Sequence, residues 1–194
     1  MNNEPDPRII VLTAPSGAGK TTIANRLLDA FPAMRFSVSA TTRPKRDNEI
    51  HGVHYHFLTQ SQFDQAMLDS ELLEYEEVYI GSWYGTLRRE VEQSSREKPV
   101  LLDIDVEGAL TVKNTYGDRA LVIFVKPPSL EELERRLRKR QSENIDTLKQ
   151  RLARAGKELG YSDRFDAIVV NDILEIAVEE ARRLITDFLN ENNE

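Results

Sequence analysis

The sequence predicts an α/β layered fold: a parallel sheet flanked by helices, with an inserted small β subdomain of mixed or antiparallel strands and a helical lid. Three observations predict it. Four short β-branched runs, "RIIVLTA", "PVLLDID", "ALVIFVK" and "FDAIVVND", are apolar throughout instead of alternating, the pattern of strands buried on both faces of a parallel sheet. Each run is followed by a helical pattern, which gives the β-then-α rhythm of helices on both sheet faces. Residues 36 to 86 break that rhythm by alternating polar with apolar or aromatic residues, as half-exposed antiparallel strands do.

Taken in chain order, the first strand leads into "KTTIANRLLDAF", a helix with Ile23, Leu27, Leu28 and Phe31 on one stripe. The insert reads as strands in "FSVSATT", "HGVHYHFLT" and "LLEYEEVYIGSWYGT", with a short helix "SQFDQAMLD" among them, and "LRREVEQSSREK" leads back to the main sheet. After the third apolar strand, Pro127 and Pro128 form a turn, and Ser129 with Glu132 three places on is the capping-box arrangement that starts "SLEELERRLRKRQ". Apolar periodicity lapses over "RQSENID" and resumes in "TLKQRLARAGKEL", so two helices flank a polar tip suited to move as a lid. The last strand is followed by "ILEIAVEEARRLITDFL". The chain reads as one folded unit: a core of about 7–35, 98–135 and 152–194, an insert of about 36–86 and a lid of about 136–151.

Composition excludes several classes. With 194 residues, 40% hydrophobic and 30% charged, the chain suits one well-buried core and is neither disordered nor fibrous. The lack of cysteine rules out disulfides, thiolate nucleophiles and cysteine zinc sites, and fits a reducing compartment, the cytoplasm by default. "MNNEPDPR" is not a secretory signal, and "ALVIFV" is too short to cross a bilayer. A net charge of −7 argues against nucleic acid or an anionic membrane as partner, because both need a broadly positive face. Basic residues nevertheless cluster in "TTRPKR" and "LERRLRKRQ", which directs attention to a small anion met locally.

The stretch "TAPSGAGKTT" (Ala14, Pro15, Ser16, Gly17, Ala18, Gly19, Lys20 and Thr21 at its centre) follows a buried-type strand and opens an amphipathic helix. That is the setting of the phosphate-binding loop of P-loop NTPase-type folds: backbone N–H groups converge on phosphates at a helix N-terminus, Lys20 supplies a point charge, and the Thr21 hydroxyl is placed to bind Mg²⁺. Ala14 stands where the pattern asks for its first glycine, and it fits there only if its φ is negative. The loop alone says that a nucleoside triphosphate binds; the second substrate must be read elsewhere.

In "FSVSATTRPKRDNEIHGVHYHF", Arg43 and Arg46 with Tyr55 downstream are able to clamp one phosphate through forked and single hydrogen bonds, although basic residues in a polar loop are more often simply solvated. Asp103 and Asp105 end a strand at the carboxyl edge of the sheet, where ligands bind in open α/β folds, or else cap the next helix. Arg136 and Arg140 share a helix face and Arg151 begins the far side of the lid; the alternative is a solvated face with acidic partners, above all for Arg135 and Arg138.

Together with "ELLEYEEV", "WYGT", "LLDIDVEGA", "PPSLEELERRLRKR", "KQRLARA" and "IVVND", in order over nearly the whole chain, that stretch resembles the guanylate kinases. The resemblance implies transfer of the γ-phosphoryl of ATP to GMP, and to dGMP, with Mg²⁺ bound by Thr21 and approached by Asp103 through water. It implies that Ser39, Glu74 and Thr86 face the guanine, that Arg43, Arg46, Tyr55 and Tyr84 hold the GMP phosphate, and that Asp103 and Asp105 lie nearby. It further implies that Arg140 and Arg151 close over the transferring group with Arg136 beside them, and that Asn171 lies near the adenine. One carboxylate accepts the adjacent ring N–H and amine of guanine together, a pair adenine lacks. The sequence departs from the family at Pro44, at Asn48, in the longer "VYIGSWYG" and in the lid tip "QSENID". Two rivals are a phosphopeptide-binding domain of scaffolding proteins, which typically lacks an intact ATP loop, and a kinase of phosphorylated sugars, which has no use for Ser39, Glu74 and Thr86. Oligomeric state is not legible.

Overall fold

The computed structural model describes residues 7–139 and 145–191. The first apolar run forms β1 (Ile9–Thr13), buried at all five positions. It turns into α1 (Lys20–Ala30), which buries Ile23, Ala24 and Leu27, with Leu28 and Phe31 packed beside them. There follow β2 (Arg35–Phe36), β3 (Ala40–Thr41), β4 (His56–Phe57), α2 (Gln60–Leu68), β5 (Leu72–Tyr79), β6 (Ser82–Leu87) and α3 (Arg88–Glu92). The chain then returns through β7 (Val100–Asp103), α4 (Val106–Tyr116), β8 (Ala120–Lys126), α5 (Leu130–Lys139), α6 (Ile145–Leu159), β9 (Ala167–Val170) and α7 (Leu174–Asn190).

The main sheet runs in the order β2-β7-β1-β8-β9, and every pair in it is parallel. Strand alternation sends Ile10, Leu12, Leu101, Ile123 and Val169 to a core under α1 and α7. The neighbouring residues Ile9, Val11, Val100, Leu102 and Val122 point the other way, into a core with Ala109 and Val112 of α4 and Val91 of α3. β9 departs from the expectation of two buried faces, since Ile168 and Val170 are exposed. It is an edge strand, and an unbroken apolar run does not distinguish an edge from the sheet centre.

The insert forms its own four-stranded sheet, β4-β3-β6-β5, in which β3 is parallel to β4 and antiparallel to β6. "FSVSATT" is not one strand: Phe36 pairs with Leu101 in the main sheet and only Ala40 and Thr41 enter the second. Phe63 and Ala66 of α2 fill a separate small core with Ala40, Leu72 and Leu87, and α2 begins with a complete Thr59–Gln62 capping box. Within "VYIGSWYG" the pairing shifts register between Glu77 and Tyr79, next to a hairpin tip where Ile80 is fully exposed and Gly81 takes φ +75°. The pairings Glu74 with Thr86 and Glu76 with Tyr84 lie before that shift and share one register.

Ser129 caps α5 through the Glu132 amide at 3.2 Å, but the Glu132 carboxylate goes forward to Arg135 and Arg136. α5 and α6 pack through Leu133, Leu137, Leu148 and Ala155. The residues joining them, including Arg140 and most of the tip, lie outside the described residues. Among the described residues no helix is long and apolar enough to cross a membrane.

Candidate active site

Between β1 and α1, Gly17 and Gly19 adopt φ of +93° and +98°, and a turn closes from the Ala18 amide to the Pro15 carbonyl at 3.0 Å. Among the described residues Ser70 is the one non-glycine with positive φ, so Ala14 has the ordinary backbone that its methyl group requires. Both glycines are also needed for space. A Cβ on Gly17 would lie 2.8 Å from Leu137, and one on Gly19 would lie 2.2 Å from the Asn171 amide nitrogen. Gly19 caps α1 without a side chain, which leaves first-turn N–H groups to face an anion.

Asp103, at the end of β7, holds the loop's two reactive side chains. Its Oδ1 meets Lys20 Nζ at 2.6 Å and its Oδ2 accepts from Thr21 Oγ1 at 2.9 Å, while Lys20 also donates to the Ile104 carbonyl at 2.6 Å. Asp105 instead caps α4 by accepting from the Gly108 amide at 2.9 Å. The helix-cap reading is therefore met by Asp105, and Asp103 serves the loop.

These groups open onto a cleft of about 1190 Å³ between the two sheets, lined by Ala14, Pro15, Ser16, Gly17, Gly19, Lys20 and Thr21 on one side. Ser39, Tyr55, Glu74 and Tyr84 line it from the insert, and Asp103, Asp105 and Arg151 complete it. Tyr55 and Tyr84 meet edge to face at 5.9 Å, and burial together with Tyr84 raises the Tyr55 phenol. Thr86 is wholly buried behind Glu74 and donates to its Oε1.

Arg43 lies one layer out. Its guanidinium is gripped in a fork by Glu49, at 2.9 and 2.7 Å, and lies over the rings of Tyr55 and Phe57. Arg43 and then the Arg46 amide hold the Glu49 carboxyl down at about 2, and Glu49 itself faces the cleft. Arg46 is exposed, so the solvated reading suits its side chain better than that of Arg43.

A second, smaller cleft of about 340 Å³ lies on the far side of the loop, against Arg136 and Asn171. Asn171 is buried and its amide donates to the Ala18 carbonyl at 2.8 Å; Arg136 donates to the Asn171 carbonyl at 3.0 Å and to Glu132 at 2.7 Å. Arg135 and Arg138 are paired with Glu132 and Glu134 on an exposed face, as the solvated alternative expects.

Sequence reasoning missed four participants. Arg154 of α6 reaches Glu76 of β5 at 2.9 Å and Glu158 at 2.7 Å, and it lines the main cleft with Glu158. Burial, and then the neighbouring Asp105 carboxyl, push the Glu76 carboxyl up. Glu49 is the fourth. A pair separated by 78 residues leaves no local trace.

Burial is the first cause that pushes the Glu74 carboxyl up to about 7, with the Thr86 hydroxyl opposing it. Because an unfolded glutamate titrates at its ordinary value of 4.5, the folded state binds the extra proton between about 4.5 and about 7. This group's contribution is therefore favourable at low pH and is lost as pH rises through that window. Urea unfolding of wild type and Glu74→Gln should show the variant gaining on wild type from pH 4.5 to pH 7.5, by on the order of 3 kcal/mol; a constant difference would contradict the shift. In the loop, Gly19→Ala should cost about 1–3 kcal/mol by the same measurement, and Ala14→Gly under about 1 kcal/mol.

The guanylate kinase family model matches residues 6–188. A guanylate kinase of Salinibacter ruber is 56% identical over 186 residues, covering 96% of this chain and 99% of that protein. One from Chlorobium luteolum is 46% identical, covering 94% of this chain and 93% of its own. The crystal structure of guanylate kinase from Anaplasma phagocytophilum superposes with a TM-score of 0.78 at 30% identity, over 96% of this chain and 88% of that one. The match runs along almost the full length of these relatives as well as of this chain, and the chain belongs to the guanylate kinase family.

Proposed function

We propose that the main cleft holds GMP end to end with the triphosphate of ATP, and that Glu74 reads the guanine. The family's activity is the activity of this enzyme: the γ-phosphoryl of ATP passes to GMP, giving ADP and GDP. The observation that carries the site assignment is the buried Glu74–Thr86 pair, opening onto the same cleft as Lys20 and the uncapped start of α1. Guanine presents a ring N–H beside an amine, and a carboxylate accepts both; adenine would leave the buried Glu74 unpartnered, which discriminates far more strongly than a missing methylene does. Ser39 lies at the same wall. A sugar phosphate has nothing to offer this wall.

The acceptor phosphate is already an anion, so no general base is required, and the work is positioning and charge neutralisation. Arg43, Arg46, Tyr55 and Tyr84 are assigned to that phosphate, with Arg43 exchanging part of its fork from Glu49 to the substrate. Lys20 and Arg151 are assigned to the transferring group, with Arg140, which lies outside the described residues. The loop from Ala14 to Thr21 cradles the donor phosphates, and Arg136 and Asn171 border the smaller cleft assigned to the adenine side.

Thr21 Oγ1 and the Asp103 carboxylate are hard oxygen donors at the loop, and they suit Mg²⁺, which takes few protein ligands and completes its shell with phosphate oxygens and water. When bound, the ion spreads the charge of the β- and γ-phosphates. Thr21 would hold it, with Asp103 reaching it through water. The substrates suit a reducing cytoplasm, where the lack of cysteine costs nothing.

Excluding water protects ATP from hydrolysis, so the insert and the lid are proposed to close on the substrates. X-ray scattering should show a smaller radius of gyration with GMP and a non-hydrolysable ATP analogue than without them; identical profiles would remove the closure. Activity screening of GMP, dGMP, AMP, UMP and ribose phosphates with Mg·ATP should find turnover with GMP and dGMP, and orders of magnitude less with AMP. Lys20→Met should cost about 10²-fold or more in kcat, and Glu74→Gln should erode the preference for GMP over AMP; an unchanged preference would sink the assignment of Glu74.

A further inference from the structure

We propose that Gly108, in the first turn of α4, is a specificity-determining position: its missing side chain is the seat of the Glu74 carboxylate. The proposal rests on the reading that Glu74 recognises guanine. A Cβ at Gly108 would lie 2.7 Å from Glu74 Oε2, 3.0 Å from Cδ and 3.4 Å from Cγ, so the end of the Glu74 side chain fills the space a Cβ would occupy. No other neighbour comes within 3.4 Å of that point.

The backbone gives no reason for glycine there. Gly108 lies in a regular helix and is not among the glycines with positive φ. Its amide makes the same cap bond to Asp105 that any residue would make. A glycine inside a helix lowers stability relative to alanine, and the adjoining Ala109 and Val112 have ordinary buried side chains. What requires glycine is the close approach of a carboxylate to the helix.

Glu74 has little freedom to yield. It is buried, its Oε1 is held by Thr86, and its strand is fixed in register opposite Thr86. Behind it, Gly85 is closed by the same β5 backbone, since a Cβ there would lie 2.8 Å from the Glu74 carbonyl oxygen. A methyl group at position 108 would therefore turn the carboxylate off the Thr86 hydroxyl and toward the cleft, which misplaces the acceptor pair while leaving α4 and β5 in place.

The test compares GMP with IMP, which has the ring N–H but lacks the 2-amino group. Gly108→Ala should raise KM for GMP about tenfold and shrink the preference for GMP over IMP by a similar factor, with KM for ATP unchanged and kcat reduced far less than KM rises. Shortening the acid in Gly108→Ala/Glu74→Asp should return part of the preference. Glu74→Gln is run beside them: if it keeps the wild-type preference, the reading of Glu74 itself fails. If Glu74→Gln loses the preference while Gly108→Ala keeps both KM and preference, the inference about Gly108 alone fails. A substrate-free readout covers poor folding: Gly108→Ala should lower the melting temperature of wild type and raise that of Glu74→Ala. Equal shifts in the two backgrounds, or a Gly108→Ala protein that Glu74→Ala does not rescue, would overturn the proposal.

Discussion

The Asp103 carboxylate is the tie on which the site depends. Its two oxygens take Lys20 and Thr21 from the loop after β1, while its backbone ends the adjacent strand β7, so the loop is fastened to the sheet. Asn171 and Arg136 fasten it from the other side, through the Ala18 carbonyl and the β9–α7 connection. A loop braced from both sides presents its N–H groups without reorganising when phosphate arrives, which is what electrostatic preorganisation demands.

That tie is one instance of a pattern. Lys20 faces Asp103, Arg43 faces Glu49, Arg136 faces Glu132 and Arg154 faces Glu76 and Glu158. In a chain of net charge −7 these cations are stored against carboxylates. A phosphate must match or displace a carboxylate already in place, so a lone small anion gains little and a substrate with several correctly spaced oxygens gains most. The proposed exchange of Arg43 from Glu49 to substrate is the clearest case, because the guanidinium is already stacked on Tyr55 and Phe57 and needs only to share its fork.

Local pattern made the main fold legible: continuous apolar runs found the parallel strands, and glycines before an amphipathic helix found the loop. Pattern failed where the outcome depends on what lies opposite. β9 is as apolar as its neighbours but has open space on one face, and "FSVSATT" is shared between two sheets because Phe36 finds Leu101 as a partner. In the site, the loop was legible because its residues are contiguous. Asp105 and Arg151 were found by their places at a strand end and beyond the lid tip, Glu74 and Tyr84 needed the family resemblance, and Glu49, Glu76, Arg154 and Glu158 escaped both routes. A residue such as Gly108 reads as an ordinary weak point in a helix until the side chain from another strand is set against it.

Glu76 and Arg154 also bear on how the parts of the enzyme communicate. The insert has its own small core, and so has the α5–α6 pair. Arg154 spans them: it belongs to α6 and pairs with Glu76 on β5, one strand residue beyond Tyr75 and two beyond Glu74. Glu76 in turn feels Asp105, the cap of the helix on which Gly108 lies beside Glu74, which helps hold the Glu76 carboxyl up. α6, the strand of the proposed base-reading acid and the end of the central sheet therefore meet through Arg154 and the carboxylates around it.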